Sequence, residues 1–90
     1  MSKGEFKKIL QIIKSAYGEK FPKVDNDLAD TWYRCLNDLD FKTVEVALIE
    51  YIKSKPFPPT ISDVRTAYSV HLLAYGKVIE SREEEVGDDW

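Results

Sequence analysis

The sequence predicts an all-α fold: a small bundle of four helices, the last one long and projecting, with a frayed acidic C-terminus. Two observations carry this prediction. Apolar residues recur at spacings of three and four along four stretches, which is the period of an amphipathic helix. Each stretch also follows a Ser, Asp, Asn or Thr whose side chain can cap a helix. The nearest strand candidate, Thr43–Val46, alternates only briefly and then returns to helical spacing.

The first helix is predicted over Lys3–Tyr17. Ser2 and Glu5 have the S-x-x-E spacing of a capping box, in which two unpaired backbone N–H groups are satisfied reciprocally. Gly18 is suited to end the helix because glycine adopts the left-handed conformation without strain. The apolar face comprises Phe6, Ile9, Leu10, Ile13, Ala16 and Tyr17.

The second and third helices are predicted over about Asn26–Leu39 and Phe41–Ser54, with Asp25 or Asn26 capping the former and Asp40 the latter. The inner face of the second helix reads Leu28, Trp32, Cys35, Leu36 and Leu39. Cys35 is therefore expected to be a small buried residue. The third helix is apolar on more than one side, which predicts a central position in the core.

The segment KPFPPTISDV separates the third helix from the fourth. Pro56, Pro58 and Pro59 lack backbone donors and cannot extend a helix, so the segment is expected to cross stiffly from one helix to the next. Thr60 is the predicted cap of the fourth helix, with Ser62 as a rival. This helix is predicted from Ile61 to about Arg82, where it would be the longest, with Gly76 as a weak point.

Residues 1–80 are predicted to form one helical domain, and residues 81–90 an acidic, flexible tail. The net charge of −3 conceals a gradient along the chain. Residues 1–24 carry six lysines against two glutamates, whereas residues 60–90 carry three basic against seven acidic residues. Such a charge distribution favours protein partners over nucleic acid, because binding to phosphates requires clustered Lys and Arg. No apolar run is long enough for a membrane span and no signal peptide is evident, so a cytoplasmic location is expected.

The residue types needed for catalysis are scarce. The chain has one cysteine and one histidine, Cys35 and His71, both on faces predicted to point to the core. No phosphate-binding loop, nucleophile elbow or metal-binding motif is found, so we expect neither an enzyme nor a bound cofactor or metal. A helix-turn-helix DNA reader could be built from the second and third helices. Its recognition helix would present Glu45 and Glu50 and no arginine, which suits DNA bases poorly.

Three stretches together resemble the phage family of replicative-helicase loaders and inhibitors: FKKILQIIKSAY, TWYRCLNDLDFKTVEVALIEYI and PFPPTISDV. The resemblance spans about Phe6 to Val64. Its most specific part is the number of residues between Trp32 and Pro58–Ile61, where the next helix begins. It implies a non-enzymatic protein with a helical N-terminal domain and a C-terminal segment that engages the hexameric replicative DNA helicase. It also implies loading of the helicase at an origin complex, inhibition of its activity, or both. Members usually continue beyond the length of this chain, so either a short member or part of a longer protein is expected.

The resemblance implies that a C-terminal segment engages the helicase, and we hypothesise that the distal part of the fourth helix and the tail make this contact. The predicted contact residues are Val78, Ile79, Arg82, Val86 and Trp90. Tyr33, Phe57 and Tyr75 are further large residues outside the most compact part of the predicted core. Two other functions stay open at this point, a helical adaptor for another protein and a DNA-binding phage protein. The oligomeric state is not predicted.

Overall fold

Four α-helices contain most of residues 1–77, the part of the chain that the computed structural model describes. They are α1 (Lys3–Tyr17), α2 (Asn26–Leu36), α3 (Phe41–Ser54) and α4 (Ile61–Tyr75), with a 3₁₀ turn at Gly18–Lys20 after α1. No strand occurs among these residues. The predicted all-α class and the number of helices are confirmed.

Each helix begins at a capped residue. The Ser2 hydroxyl accepts from the Glu5 N–H at 3.1 Å, and the Glu5 carboxylate accepts from the Ser2 N–H at 3.0 Å. Asp25 and Asp40 accept from the third residue of α2 and of α3, Leu28 and Thr43. These side chains satisfy backbone donors that the first turn of a helix leaves unpaired, which is why the predicted start positions are correct.

The core lies where the inner faces of the four helices meet. Ile9, Ile13, Leu36 and Val44 are fully buried there. Phe21, in the connection after the 3₁₀ turn, packs edge-on against Trp32 with ring centroids 5.6 Å apart. The other buried apolar residues are Phe6, Leu10, Leu39, Ala47, Leu48 and Val64. Burial of these side chains is the main stabilising contribution to the fold.

Helix α3 packs against both α1 and α4, as its broad apolar surface predicts. The hydroxyl of Tyr17, at the end of α1, donates to the carbonyl of Lys55, just after α3, at 3.0 Å. The two helices therefore run in the same direction. Helix α4 returns the opposite way, because the hydroxyl of Tyr68 accepts from the N–H of Asp40, at the start of α3.

Helix α2 is shorter than predicted, since it ends at Leu36. Asn37 and Asp38 form a turn that is closed by a 3.0 Å hydrogen bond from the Leu39 N–H to the Leu36 carbonyl. Leu39 is still buried, at 5% exposure, although it is not helical. The prediction that Cys35 is buried is wrong. Its side chain is exposed at the surface, beside the α4 residues Arg65 and Leu73.

Helix α4 also ends earlier than predicted. Gly76 follows Tyr75 with φ of 78°, a left-handed conformation that glycine adopts easily and that stops the helix. The prediction of one unbroken helix from Ile61 to about Arg82 is therefore wrong, because α4 ends at Tyr75. The proposed boundary between a domain at 1–80 and a tail at 81–90 lies outside the described residues.

The proline segment crosses from α3 to α4 as predicted. Lys55 ends α3 in an extended conformation, and Pro59 is buried just before the Thr60 cap. Phe57 lies between them with half of its surface exposed, and its carbonyl accepts from the Tyr51 hydroxyl at 3.3 Å. The segment thus places the start of α4 against the end of α3.

Thr60→Ala is expected to lower the free energy of unfolding by about 1 kcal/mol, because the Thr60 hydroxyl accepts from the Asp63 N–H at 3.1 Å. Asp63 returns the contact by accepting from the Thr60 N–H at 3.0 Å, which completes a capping box. Urea unfolding measures the loss. Ser62→Ala serves as the control, since Ser62 lies inside the helix, and a larger loss for Ser62→Ala would contradict the assigned cap.

Candidate partner-binding surface

The outward side of α4 carries apolar residues that no described residue covers. Leu73 is 89% exposed, Tyr75 78% and Val70 59%. Val46 on α3 and Ala74 on α4 line the same groove as Val70 and Tyr75, whereas Leu73 lies on the other flank of Val70, beside Arg65. We call these five residues the α4 outer surface. Isolated exposed apolar residues are common, but a contiguous group of this kind marks a contact site.

Charge is absent from the same stretch of helix. From Thr66 to Tyr75 the chain contains no Asp, Glu, Lys or Arg. Interface centres are depleted of charged residues and enriched in aromatic ones, because desolvating a charge is costly. Helix α4 therefore has an apolar inner side that packs on α3 and an apolar outer side available to a partner.

A groove between α3 and α4 continues this surface toward the core. Its floor is formed partly by the small side chains of Ala47 and Ala67, and its wall partly by Tyr75, whose ring lies 5.0 Å from that of His71. Charged residues appear at the other end, where Glu50 and Asp63 line the groove. There, burial and the Asp63 carboxylate raise the pKa of the Tyr51 hydroxyl, so it stays protonated as a donor.

A polar clamp holds the edge of α4 that faces α2, on the same side of the helix as Leu73. One nitrogen of the Arg65 guanidinium donates to the Cys35 carbonyl at 2.8 Å and to Asp38 at 3.0 Å. A second nitrogen donates to the other Asp38 oxygen at 3.3 Å. This two-pronged contact joins the end of α2 to the second turn of α4. The hydrogen bonds and charge of Arg65 hold the pKa of the Asp38 carboxyl below its usual range.

Acidification is expected to weaken this clamp. Because the pKa of Asp38 is lower in the folded chain than in the unfolded chain, its ionisation stabilises the fold above the unfolded value. The contribution disappears as the pH falls through the folded pKa. The difference in melting temperature between wild type and Asp38→Asn should therefore be present near about pH 6 and vanish toward about pH 2.

A double variant isolates the contribution of the ion pair. In an Arg65→Gln background, Asp38→Asn should change the melting temperature little at either pH, because the partner charge is gone. A wild-type difference that persists unchanged into acid would show that the carboxylate charge does not contribute.

A second candidate surface is basic. Lys3, Lys7 and Lys8 are exposed on the first turns of α1, and we call them the α1 lysine face. None of the three forms an ion pair with another residue of the described part of the chain. The face suits an anionic partner, although three lysines are few for DNA binding.

The structure describes none of the predicted contact residues. Val78, Ile79, Arg82, Val86 and Trp90 all lie outside the described residues. Among the other large residues, Tyr75 and Phe57 are exposed as surface residues. Tyr33 is half-buried instead, with its ring 5.4 Å from that of Phe6.

Val70 and Leu73 were absent from the residues that the sequence singled out, although they are among the most exposed apolar residues of the described chain. The uncharged run Thr66–Tyr75 is the sequence feature that could have indicated an exposed apolar surface there. Cys35 and His71 do not share a site, since Cys35 lies beside Arg65 and Leu73 whereas His71 faces the α3–α4 groove.

Two further classes of site are absent from residues 1–77. Within this range, no group of three or more His, Cys, Asp or Glu side chains is arranged to hold a metal ion. No described helix is long and apolar enough to cross a membrane.

Comparison with known proteins gives a family match. The family described as the N-terminal domain of the phage gene 39 protein matches residues 1–65, which include α1, α2, α3 and the first turn of α4. Neither the curated proteins nor the solved structures include a significant match. The family match covers most of the described helices, and the exposed apolar residues of α4, Val70, Leu73 and Tyr75, lie beyond it.

Proposed function

The chain belongs to the family of the gene 39 protein N-terminal domain, that of phage helicase loaders and inhibitors, and from this premise we propose that it binds a replicative DNA helicase. The proposed partner is hexameric, and the binding loads the helicase at the origin, inhibits its activity, or does both. An origin-binding replication protein is a second proposed partner. The role is non-enzymatic, and the proposed setting is the cytoplasm of the host bacterium. Family membership is the observation that carries the proposal.

The α4 outer surface supports a role in protein contact. It is apolar, uncharged and contains an exposed tyrosine, the composition found at the centre of protein interfaces. A DNA reader is less well supported, because the outward side of α3 presents Glu45 and Glu50 together with the apolar residues Val46 and Ile49.

The proposed contact continues from α4 into the segment that follows. Tyr75 lies only three residues before Val78, so the α4 outer surface and the sequence-predicted contact residues are neighbours along the chain. We assign the helicase contact to both parts. The contact residues in the segment are Val78, Ile79, Arg82, Val86 and Trp90.

Recovery of the helicase from a bacterial lysate tests the function. Immobilised full-length chain should retain the hexameric helicase, and calorimetry with the purified proteins should then give a saturable binding curve. Recovery of a different protein, with no binding to purified helicase, would favour a helical adaptor. Salt-sensitive retention on DNA without helicase binding would favour the DNA-binding alternative.

Deletion of residues 80–90 is expected to weaken helicase binding, because it removes Arg82, Val86 and Trp90 from the proposed contact. Titration calorimetry of the full-length and shortened chains against one helicase preparation measures the change. Unchanged affinity would remove residues 80–90 from the contact and leave the α4 outer surface, with Val78 and Ile79, as its site.

A further inference from the structure

The side of α4 near α2 presents a row of exposed side chains that carries no charge. The row comprises Ser62, Thr66, Ser69, Val70 and Leu73, which line one shallow groove and are all exposed. They recur at spacings of three and four residues, so they share one side of the helix. The apolar part of the row is its end, where Val70 is 59% and Leu73 89% exposed, and the hydroxyl residues lie nearer the start of α4.

A second copy of the chain fits this row when the two α4 helices run antiparallel. A two-fold axis at the midpoint between Val70 and Leu73 sets Val70 of each copy opposite Leu73 of the other, so four apolar side chains meet at the centre. Thr66 then lies toward the rim, opposite the end of the second α4 at Gly76, where no side chain obstructs the approach. Such a pair has the apolar centre and polar rim of a protein interface.

The charges around the row favour the same arrangement. Between Thr66 and Tyr75 there is no charged residue, so no like charges meet at the centre of the pair. Arg65, beside the row, is already paired with Asp38 at 3.0 Å. A parallel pair would bring Asp63 of both copies and both helix N-termini to the same end. The antiparallel pair separates them and sets opposite ends of the two helix dipoles side by side.

The area of contact predicts that the pair is weak. Helix α4 has 15 residues and is therefore about 22 Å long. At a width of about 10 Å, one side of it covers on the order of 200 Å², against about 800 Å² per partner in a stable complex. The chain should therefore be monomeric at micromolar concentration, where its unfolding is measured, and should associate toward millimolar concentration.

We infer that two copies of this chain associate through antiparallel α4 helices, with Val70 and Leu73 of each copy at the centre. Apolar contact drives the association, and the net charge of −3 on each chain opposes it, so added salt should not weaken it. The pairing does not depend on a helicase. If the proposed function holds, the second copy and the helicase compete for the same two residues, so self-association lowers the amount of chain that is free to bind.

Sedimentation equilibrium of the full-length chain tests the association. At about 20 µM the average mass should be that of the 10.4 kDa chain, and at about 1 mM it should rise toward twice that value. The rise should persist in about 0.5 M salt, because screening reduces the repulsion between the two chains.

Leu73→Glu and Ile49→Glu form a matched pair of variants. Each replaces an exposed apolar residue by glutamate, so the net charge changes equally. Leu73→Glu places a carboxylate at the centre of the contact and should keep the chain monomeric at about 1 mM. Ile49 lies in the groove between α1 and α3, so Ile49→Glu should associate as the wild type does.

A nitroxide label tests the orientation of the pair. Cys35→Ser removes the native thiol, and Ser54→Cys supplies a labelling site beside the start of α4, since Ser54 and Asp63 line the same groove. The nitroxide-labelled chain is mixed with isotope-labelled chain that lacks the nitroxide, so a loss of NMR signal in the latter comes from a second copy. Antiparallel pairing should reduce the amide signals of Tyr75 and Lys77 more than that of Asp63.

Three results would overturn the inference. One is an average mass that stays at the value of the monomer up to about 1 mM, and another is equal loss of association in Leu73→Glu and Ile49→Glu. The third is a signal loss that is greater at Asp63 than at Tyr75, which would indicate parallel helices. Helicase binding is measured separately at micromolar concentration, where the chain is monomeric, so either proposal can fail alone.

Discussion

Replacement of Leu36 by alanine is expected to lower the free energy of unfolding by about 2–5 kcal/mol. Leu36 is completely buried in the core, at the last turn of α2. The substitution loses the transfer energy of the removed carbons and leaves a cavity that the packed neighbours fill only in part. In a domain of this size 1 kcal/mol corresponds to about 4–8 °C, so the melting temperature should fall by about 8 °C or more.

Leu73→Ala is the matched control, because it is the same substitution on a residue that is 89% exposed. It should change the free energy of unfolding by less than about 0.5 kcal/mol. Urea unfolding of the two variants and wild type gives both values. A similar loss for Leu73→Ala would mean that the α4 outer surface is covered in the free protein.

Val46→Glu is expected to weaken helicase binding by about tenfold or more, which corresponds to about 1.4 kcal/mol or more. Val46 belongs to the α4 outer surface, and a glutamate there would be desolvated by a partner without gaining an ion pair. Glutamate favours helix at least as well as valine, so the fold should be retained. Titration calorimetry with the purified helicase measures the loss.

Ile49→Glu is a close control on the same helix. Ile49 is 39% exposed and Val46 36%, so the two substitutions begin from similar surroundings. Ile49, however, lines the groove between α1 and α3, together with Lys8 and Ile12. Its replacement should leave the affinity nearly unchanged. Equal losses at Val46 and Ile49 would exclude the α4 outer surface as the specific contact.

Most of the fold could be predicted from local signals. The caps Ser2, Asp40 and Thr60 act on residues three positions away, so the sequence contains the whole interaction. The end of α2 was predicted less well, because Leu39 has the spacing of a helical core residue. It is buried from a turn instead, and periodicity alone does not distinguish these two states.

The candidate site was predicted only in part. The sequence correctly left Tyr75 outside the compact core, but Val46 is exposed on the third helix, whose apolar residues on more than one side predicted a central position in the core. Apolar residues on two sides of a helix indicate either deep burial or an exposed interface, and the choice depends on which neighbouring helices exist. Cys35 shows the same limit, since its exposure follows from how α4 approaches α2.

The uncovered apolar side of α4 also bears on colloidal behaviour. Charge repulsion between molecules keeps a protein soluble, and the sequence pI of about 5.1 places the loss of net charge in mildly acidic solution. Molecules that meet there expose Leu73 and Tyr75 to one another with no electrostatic barrier. The solubility minimum of this protein should therefore lie near its isoelectric point, where molecules associate through their exposed α4 residues.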